Sequence, residues 1–229
     1  MSSNDKSLIF NLESVLVEIE KEEKKFPIGN VYCVGRNYEK HAIEMGNDTK
    51  EEPFFFSKFP QSVTNKTEIF IPEDTNNFQY EVELVVFIGR NCSDIEPNQA
   101  KEYIFGYSVG IDLTKRDLQK IAKDKSRPWT LSKGFEYSAP ISKIKRNENF
   151  SINNGEISLI KNGVISQKGN ICEMTWSVDE IISKLSKNFK LFPGDLIFTG
   201  TPSGVGRIEQ GDRIEAIIEN VGILELTFL

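Results

Sequence analysis

Apolar residues recur at helical spacing near the start of the chain, at Leu8, Leu12, Val15, Leu16 and Ile19, and a charged run over 20–25 follows. Pro27 and Gly29 close that pattern. It predicts a helix over 8–25 within an N-terminal extension, 1–30, ahead of a main domain, 31–229. Beyond it the period shortens. VYCVG (31–35), PFFFSK (53–58), QYEVELVVFIG (79–89), YIFGYSVGID (103–112), EISLI (156–160), DLIFTG (195–200), RIEAII (213–218) and GILELTF (222–228) are rich in Val, Ile, Phe and Tyr. Gly, Asn, Asp and Pro separate them, as expected for short strands. Helices are predicted over 114–125 and 177–189, the second opening with Ser177 and Glu180 in capping-box spacing. Strands dominate without regular strand–helix alternation, which argues against a doubly wound parallel sheet. The polar stretch 143–156 reads as a surface excursion.

Composition narrows the function. The 229 residues carry 34 acidic and 28 basic side chains, a formal net charge of −6. A nucleic-acid binder would show a basic surplus instead. Cys33, Cys92 and Cys172 are scattered and odd in number, the usage of a reducing compartment. No apolar run approaches the roughly 18 residues of a membrane span. The acidic N-terminus, with no Arg before Arg36, is unlike a transit peptide. The expectation is a cytoplasmic address, with a mitochondrial one left open. A single histidine, His41, rules out zinc or iron sites built from several imidazoles. Any metal must be held by oxygen, which favours Mg²⁺, Mn²⁺ or Ca²⁺, and a neutral-pH base would be His41.

Three constellations could carry chemistry. In YEVELVVFI, alternation points Glu81 and Glu83 the same way, along a face continued by Val85 and Phe87. Two like charges so close repel unless a cation or proton intervenes; the alternative is a polar strand end protruding into water. Asp112, ending YSVGID, would complete a metal site with them, or would simply cap the following helix. His41 and Glu44, at i and i+3, share a helix face. A carboxylate beside an imidazole fixes its tautomer and suits it to general-base work, although an idle surface pair has the same spacing. FTGTPSGVG (198–206) follows a strand and offers backbone N–H groups and the Thr201 hydroxyl to a small anion, or serves only as a turn. It lacks the spacing of a phosphate loop. Among the cations of 113–133, most read as a solvated helix face, and Lys133 is expected to point inward.

Taken in order, GRNYEKHAIEMG, EVEL, GYSVGIDLTKRDLQ, PWTLSKGFEYSAP and DLIFTGTPSGVG resemble the successive motifs of the fumarylacetoacetate hydrolase family, from about Val31 to the C-terminus. RPWTLSKGFEYSAP and the chain length are most similar to its short acylpyruvase-like members. The resemblance implies an α+β, β-rich fold, a mixed β-sandwich roll with a few short helices, usually a homodimer. It implies Mg²⁺ or Mn²⁺ on Glu81, Glu83 and Asp112, and a water-activating dyad of His41 and Glu44 on a segment that orders over ligand. Lys133 matches the active-site lysine. Arg36, Arg116, Gln119 and Thr201 fall where substrate is contacted. The implied reaction is cleavage of an acylpyruvate to pyruvate and a carboxylic acid through a metal-held enolate, acting on a small α-keto acid with no nucleic-acid or membrane partner. Oxaloacetate decarboxylation or keto–enol tautomerisation at the same site is the alternative. A binding protein that has kept only the fold is the non-enzymatic one.

Overall fold

The computed structural model describes residues 9, 13–44, 52–147 and 152–229. At its centre is a six-stranded sheet in the order Lys145–Arg146, Ile104–Ile111, Val82–Ile88, Leu196–Phe198, Val31–Gly35, Phe54–Lys58. Neighbours are antiparallel except Leu196–Phe198 with Val31–Gly35. Apolar cores cover both of its faces, which is why VELVVFI is an unbroken buried run. Val82, Leu84, Val86 and Ile88 face one core, shared with Ile157, Leu159, Ile214, Ala216, Leu224 and Leu226 of a five-stranded sheet. That second sheet runs Val164–Asn170, Glu156–Lys161, Arg213–Ile218, Gly222–Phe228, Glu68–Ile69. The helix Val178–Asn188 adds Ile181, Ile182 and Leu185, and its Ser177–Glu180 capping box forms as expected. Val85 and Phe87 face the other core with Val31, Cys33 and Phe198. The architecture is the expected β-rich, two-layered one.

The expected helix over 8–25 is not what the described part of that segment forms. Leu16–Glu18 and Lys25–Pro27 pair as an antiparallel hairpin. Residues 1–8 and 10–12 lie outside the described residues. Val15, Leu16 and Ile19 fit a helix, but Val17 and Ile19 also alternate, and packing selects that period. Val17, Ile19, Phe26 and Ile28 are buried in the second core while Leu16 is left exposed. At about 1.5–3 kcal/mol for each buried apolar side chain, the strand register outweighs helix propensity over so short a stretch.

Two further departures position the site. The run 79–89 is not one strand: Phe78–Tyr80 and Val82–Ile88 are separated at Glu81. The predicted helix over 114–125 begins two residues late, because Thr114–Lys115 pairs with Phe78–Gln79 before the helix Arg116–Asp124. Both chains of one antiparallel pair therefore leave the large sheet together, at Glu81 and Asp112, and enter a small sheet completed by Gly206–Arg207. The Asp112 N–H donates to the Glu81 carbonyl, 2.8 Å, across this kink. Part of the polar excursion, 148–151, lies outside the described residues; Lys145–Arg146 before it is the edge strand of the large sheet.

Candidate active site and metal centre

Glu81 and Glu83 flank the kink and Asp112 sits opposite. One carboxylate oxygen from each lies within 4.8 Å of the others, and all three residues are buried. Glu83 is drawn inside because its strand continues as Leu84–Ile88, wholly buried. Asp112 is not the helix cap: Lys115 occupies that position. Its Oδ2 accepts from Lys133 Nζ at 2.6 Å, and Lys58 Nζ stands 2.8 Å from its Oδ1. Lys58 Nζ is also within hydrogen-bond distance of the Leu113, Lys133 and Ser138 carbonyls and the Ser138 hydroxyl. Asp112 Oδ1 is buried with the Lys58 ammonium as its neighbour.

Lys133 points inward as expected. Its three N–H groups go to Glu81 Oε2 (2.8 Å), Asp112 Oδ2 (2.6 Å) and Thr114 Oγ1 (2.6 Å). Arg116 donates to Gln79 Oε1, to Gln119 Oε1 and to Glu81 Oε1. Burial alone would raise the Glu81 carboxyl, but the Lys133 and Arg116 charges outweigh it and hold Glu81 well below the usual carboxylate range. Burial likewise lowers Lys133, and Asp112 and Glu81 more than restore it. Glu83 differs. Burial, then the Asp112 and Glu81 charges, push it well above the usual range, against one Gly200 N–H donated at 2.7 Å.

These observations fit a hard divalent cation. The donors are all carboxylate oxygens, Asp112 Oδ1 has lone pairs to spare, and Glu83 is a buried acid beside two other carboxylates whose charges a cation would offset.

His41 is buried on the short helix Glu39–Glu44 and lines the same pocket as the triad. Glu44 Oε2 lies 3.2 Å from its Nδ1. Glu44 in turn accepts the Gly204 N–H with both oxygens, 3.2 Å each. Asn37, fully buried just before the helix, donates to the Trp176 and Thr199 carbonyls and accepts the Trp176 N–H. Thr201 lines the pocket, as do Arg36, Arg116 and Gln119.

Sequence reasoning missed several groups. Lys58 carries no signal beyond ending an apolar strand. Gln167 lies on Val164–Asn170, a strand not anticipated; its Oε1 accepts the Val82 N–H freed by the kink, and its Nε2 donates to Thr201 Oγ1 and the Pro202 carbonyl. Two cations of 113–133 that had not been singled out also bear on the site. Lys115 is buried and pairs with Asp74 at 2.6 Å, and Lys123 lines the pocket.

Comparison with known proteins identifies the family. The profile of the family described as fumarylacetoacetate (FAA) hydrolase C-terminal matches residues 30–229. The mitochondrial oxaloacetate decarboxylase of Dictyostelium discoideum is 43% identical over 188 residues, covering 81% of this chain and 86% of that protein. The mitochondrial oxaloacetate tautomerase of Homo sapiens is 38% identical over 201 residues, covering 87% and 90%. A crystal structure of fumarylpyruvate hydrolase from Pseudomonas aeruginosa, in complex with Mn²⁺ and pyruvate, superposes with a TM-score of 0.94 at 41% identity, covering 97% of this chain and 99% of that one. With its fold, its kinked carboxylate triad and a match running from residue 30 to the C-terminus, this chain belongs to the fumarylacetoacetate hydrolase family.

Proposed function

We propose that this protein is a metal-dependent hydrolase that cleaves acylpyruvates, 1,3-diketo acids, into pyruvate and a carboxylic acid, with residues 31–229 as its catalytic unit. One observation carries the reading: three buried carboxylates converge within 4.8 Å, in a pocket also lined by the chain's only histidine. The Mn²⁺ and pyruvate held by the Pseudomonas aeruginosa hydrolase support it. Glu81, Glu83 and Asp112 would hold Mg²⁺ or Mn²⁺, which when bound supplies Lewis-acid polarisation of the substrate's keto oxygen.

The remaining work falls to the chain's own side chains. Glu44 beside Nδ1 places the imidazole proton there and leaves Nε2 as the base. His41 takes a proton from water, and the resulting hydroxide adds to the acyl carbonyl. The bond between that carbon and the methylene breaks, and its electron pair enters the pyruvate half as an enolate. Protonation at carbon completes pyruvate, and the acyl half leaves as the acid. Lys133 holds Glu81 and Asp112 in place and Arg116 holds Glu81, while Arg36, Gln119 and Thr201 orient the substrate. In oxaloacetate the bond to the departing CO₂ breaks without water. That second reading, decarboxylation or tautomerisation, is favoured by the Dictyostelium and human relatives.

A coupled pyruvate assay on acetylpyruvate and oxaloacetate, joined by the ultraviolet absorbance of enol-oxaloacetate to follow tautomerisation, with Mn²⁺ and with EDTA, tests both readings. Metal-dependent pyruvate release from acetylpyruvate supports hydrolysis. Turnover of oxaloacetate alone replaces it with the second reading, and equal rates in EDTA sink both. The free thiols Cys33, Cys92 and Cys172 fit a reducing cytoplasmic or mitochondrial compartment. No helix among the described residues is long and apolar enough to cross a membrane. A homodimer is proposed from the family resemblance, and light scattering checks it.

A further inference from the structure

A buried amide joins the strand of the proposed metal centre to the loop after Phe198. Gln167 lies on Val164–Asn170, the edge strand of the five-stranded sheet, and is 1% exposed. The loop is seated on this strand. A Cβ on Gly204 would lie 2.1 Å from the Ser166 carbonyl oxygen, and one on Gly169 would lie 2.9 Å from Pro202 Cβ. Between these two close approaches the Gln167 side chain reaches through. Its Oε1 accepts the Val82 N–H at 3.0 Å, and its Nε2 donates to the Thr201 hydroxyl at 2.9 Å and to the Pro202 carbonyl at 2.8 Å. A carbonyl only accepts and a backbone N–H only donates, so Pro202 and Val82 fix which way round the amide sits. Thr201 therefore receives an N–H on one of its lone pairs, and a hydroxyl has one proton of its own to give. Among the described residues Thr201 Oγ1 has no other hydrogen-bond partner. Its proton is left for the pocket that Thr201 lines. Facing a carboxylate, that proton attracts, whereas a hydroxyl lone pair would repel.

We propose that Gln167 is a positioning residue: its amide directs the Thr201 hydroxyl proton at the substrate's carboxylate and ties that donor to the strand bearing Glu81 and Glu83. This rests on the acylpyruvase reading above, which puts a keto acid beside Thr201, and adds the group that sets the donor's direction. Val82 stands between Glu81 and Glu83, so a shift of that strand is carried to Thr201 by one planar amide. Gly200 makes the reverse link from the loop, donating to Glu83 at 2.7 Å. An apolar side chain of similar volume could fill the space under the loop equally well. What separates Gln167 from such a filler is that its effect on binding passes through a single hydroxyl.

The test is a double-mutant cycle read by calorimetric binding of pyruvate to the Mn²⁺-loaded protein. Thr201→Val and Gln167→Met nearly keep side-chain volume, and each should weaken pyruvate about tenfold, the effect of one charge-assisted hydrogen bond. The double variant should be no more than about twofold weaker than Thr201→Val, because Gln167 then has no hydroxyl to direct. Independent losses, about a hundredfold together, overturn the proposal. So does full affinity in Gln167→Met, or a native protein that binds no pyruvate. Thr201→Ser checks the idea without touching Gln167. Serine lacks the methyl group that packing could use to fix the rotamer, so the amide alone must hold its hydroxyl. Affinity within about threefold of the native protein is expected, and a fall to the Thr201→Val level overturns the proposal. Binding and cleavage are scored apart. A coupled cycle in a protein that cleaves no acylpyruvate keeps Gln167 and loses the acylpyruvase reading, and independent losses in a protein that cleaves acetylpyruvate do the reverse.

Discussion

At the scale of single residues, chemistry follows from which groups have partners and which do not. His41 has Glu44 at one nitrogen and the pocket at the other. His41→Ala should lower pyruvate release by roughly 10²–10⁴-fold, the range for losing a general base. Mn²⁺ affinity by calorimetry should stay within about twofold, since no proposed ligand is touched; a large loss of affinity would place His41 among the ligands instead. Asp212 is a structural counterpart. Burial pushes its carboxyl up, but N–H groups of Glu209, Asn162 and Lys161 outweigh that and hold it below the usual range. A depressed carboxyl stabilises the fold above its unfolded value of about 3.9 and loses that contribution as pH falls through the folded value below it. Asp212→Asn should therefore cost about 1–3 kcal/mol at pH 7. The difference from the native protein should shrink in melting curves taken near pH 3, and a gap that widens in acid would contradict the assignment.

At the scale of elements, the turn after Phe198 works as one piece. Gly200 donates to Glu83 and Gly204 to Glu44, so one loop braces both the proposed metal centre and the dyad. Gly204 has φ of 97°, and a Cβ there would lie 2.1 Å from the Ser166 carbonyl oxygen. Gly204→Ala must move the loop. It should cost about 1–3 kcal/mol of stability through backbone strain and lower kcat more than it weakens Mn²⁺ binding, because Glu44 loses its brace. Unchanged kcat in a destabilised variant would show that Glu44 does not depend on this N–H. The kink at Glu81 and Asp112 is the other decisive element. Without it an unbroken strand would carry Glu81 along the large sheet, and the pairing of Thr114 with Gln79 would not form.

For the whole molecule, binding to the folded state alone adds stability by mass action. At a free concentration a hundred times its dissociation constant, Mn²⁺ should add about 2.7 kcal/mol. That corresponds to a rise in Tm of about 5–11 °C for a chain of this size. EDTA should reverse it. Glu83→Gln should abolish the response and leave the metal-free protein at least as stable as the native one, because it removes a buried acid that neighbouring acids repel. A Mn²⁺-induced rise that survives in Glu83→Gln would place the ion elsewhere.

Much of this was written in the sequence. The alternation in EVELVVFI set Glu83, Val85 and Phe87 on one face whatever the surroundings, because side chains alternate along a strand. The i, i+3 spacing joined His41 to Glu44, and the Ser177–Glu180 cap is a local motif. Where two local periods were both possible, as over 13–27, only burial against Val85, Phe87 and Phe198 chose the strand. The partners of the triad were beyond local reading. Lys58 meets Asp112 54 positions away, and Gln167 holds the Val82 N–H at a separation of 85 residues. Such contacts form between side chains brought together by sheet pairing, and no pattern near either residue encodes them. Local sequence determined which groups could carry charge and on which face; tertiary structure decided which charges meet, because meeting depends on where distant strands leave their sheets.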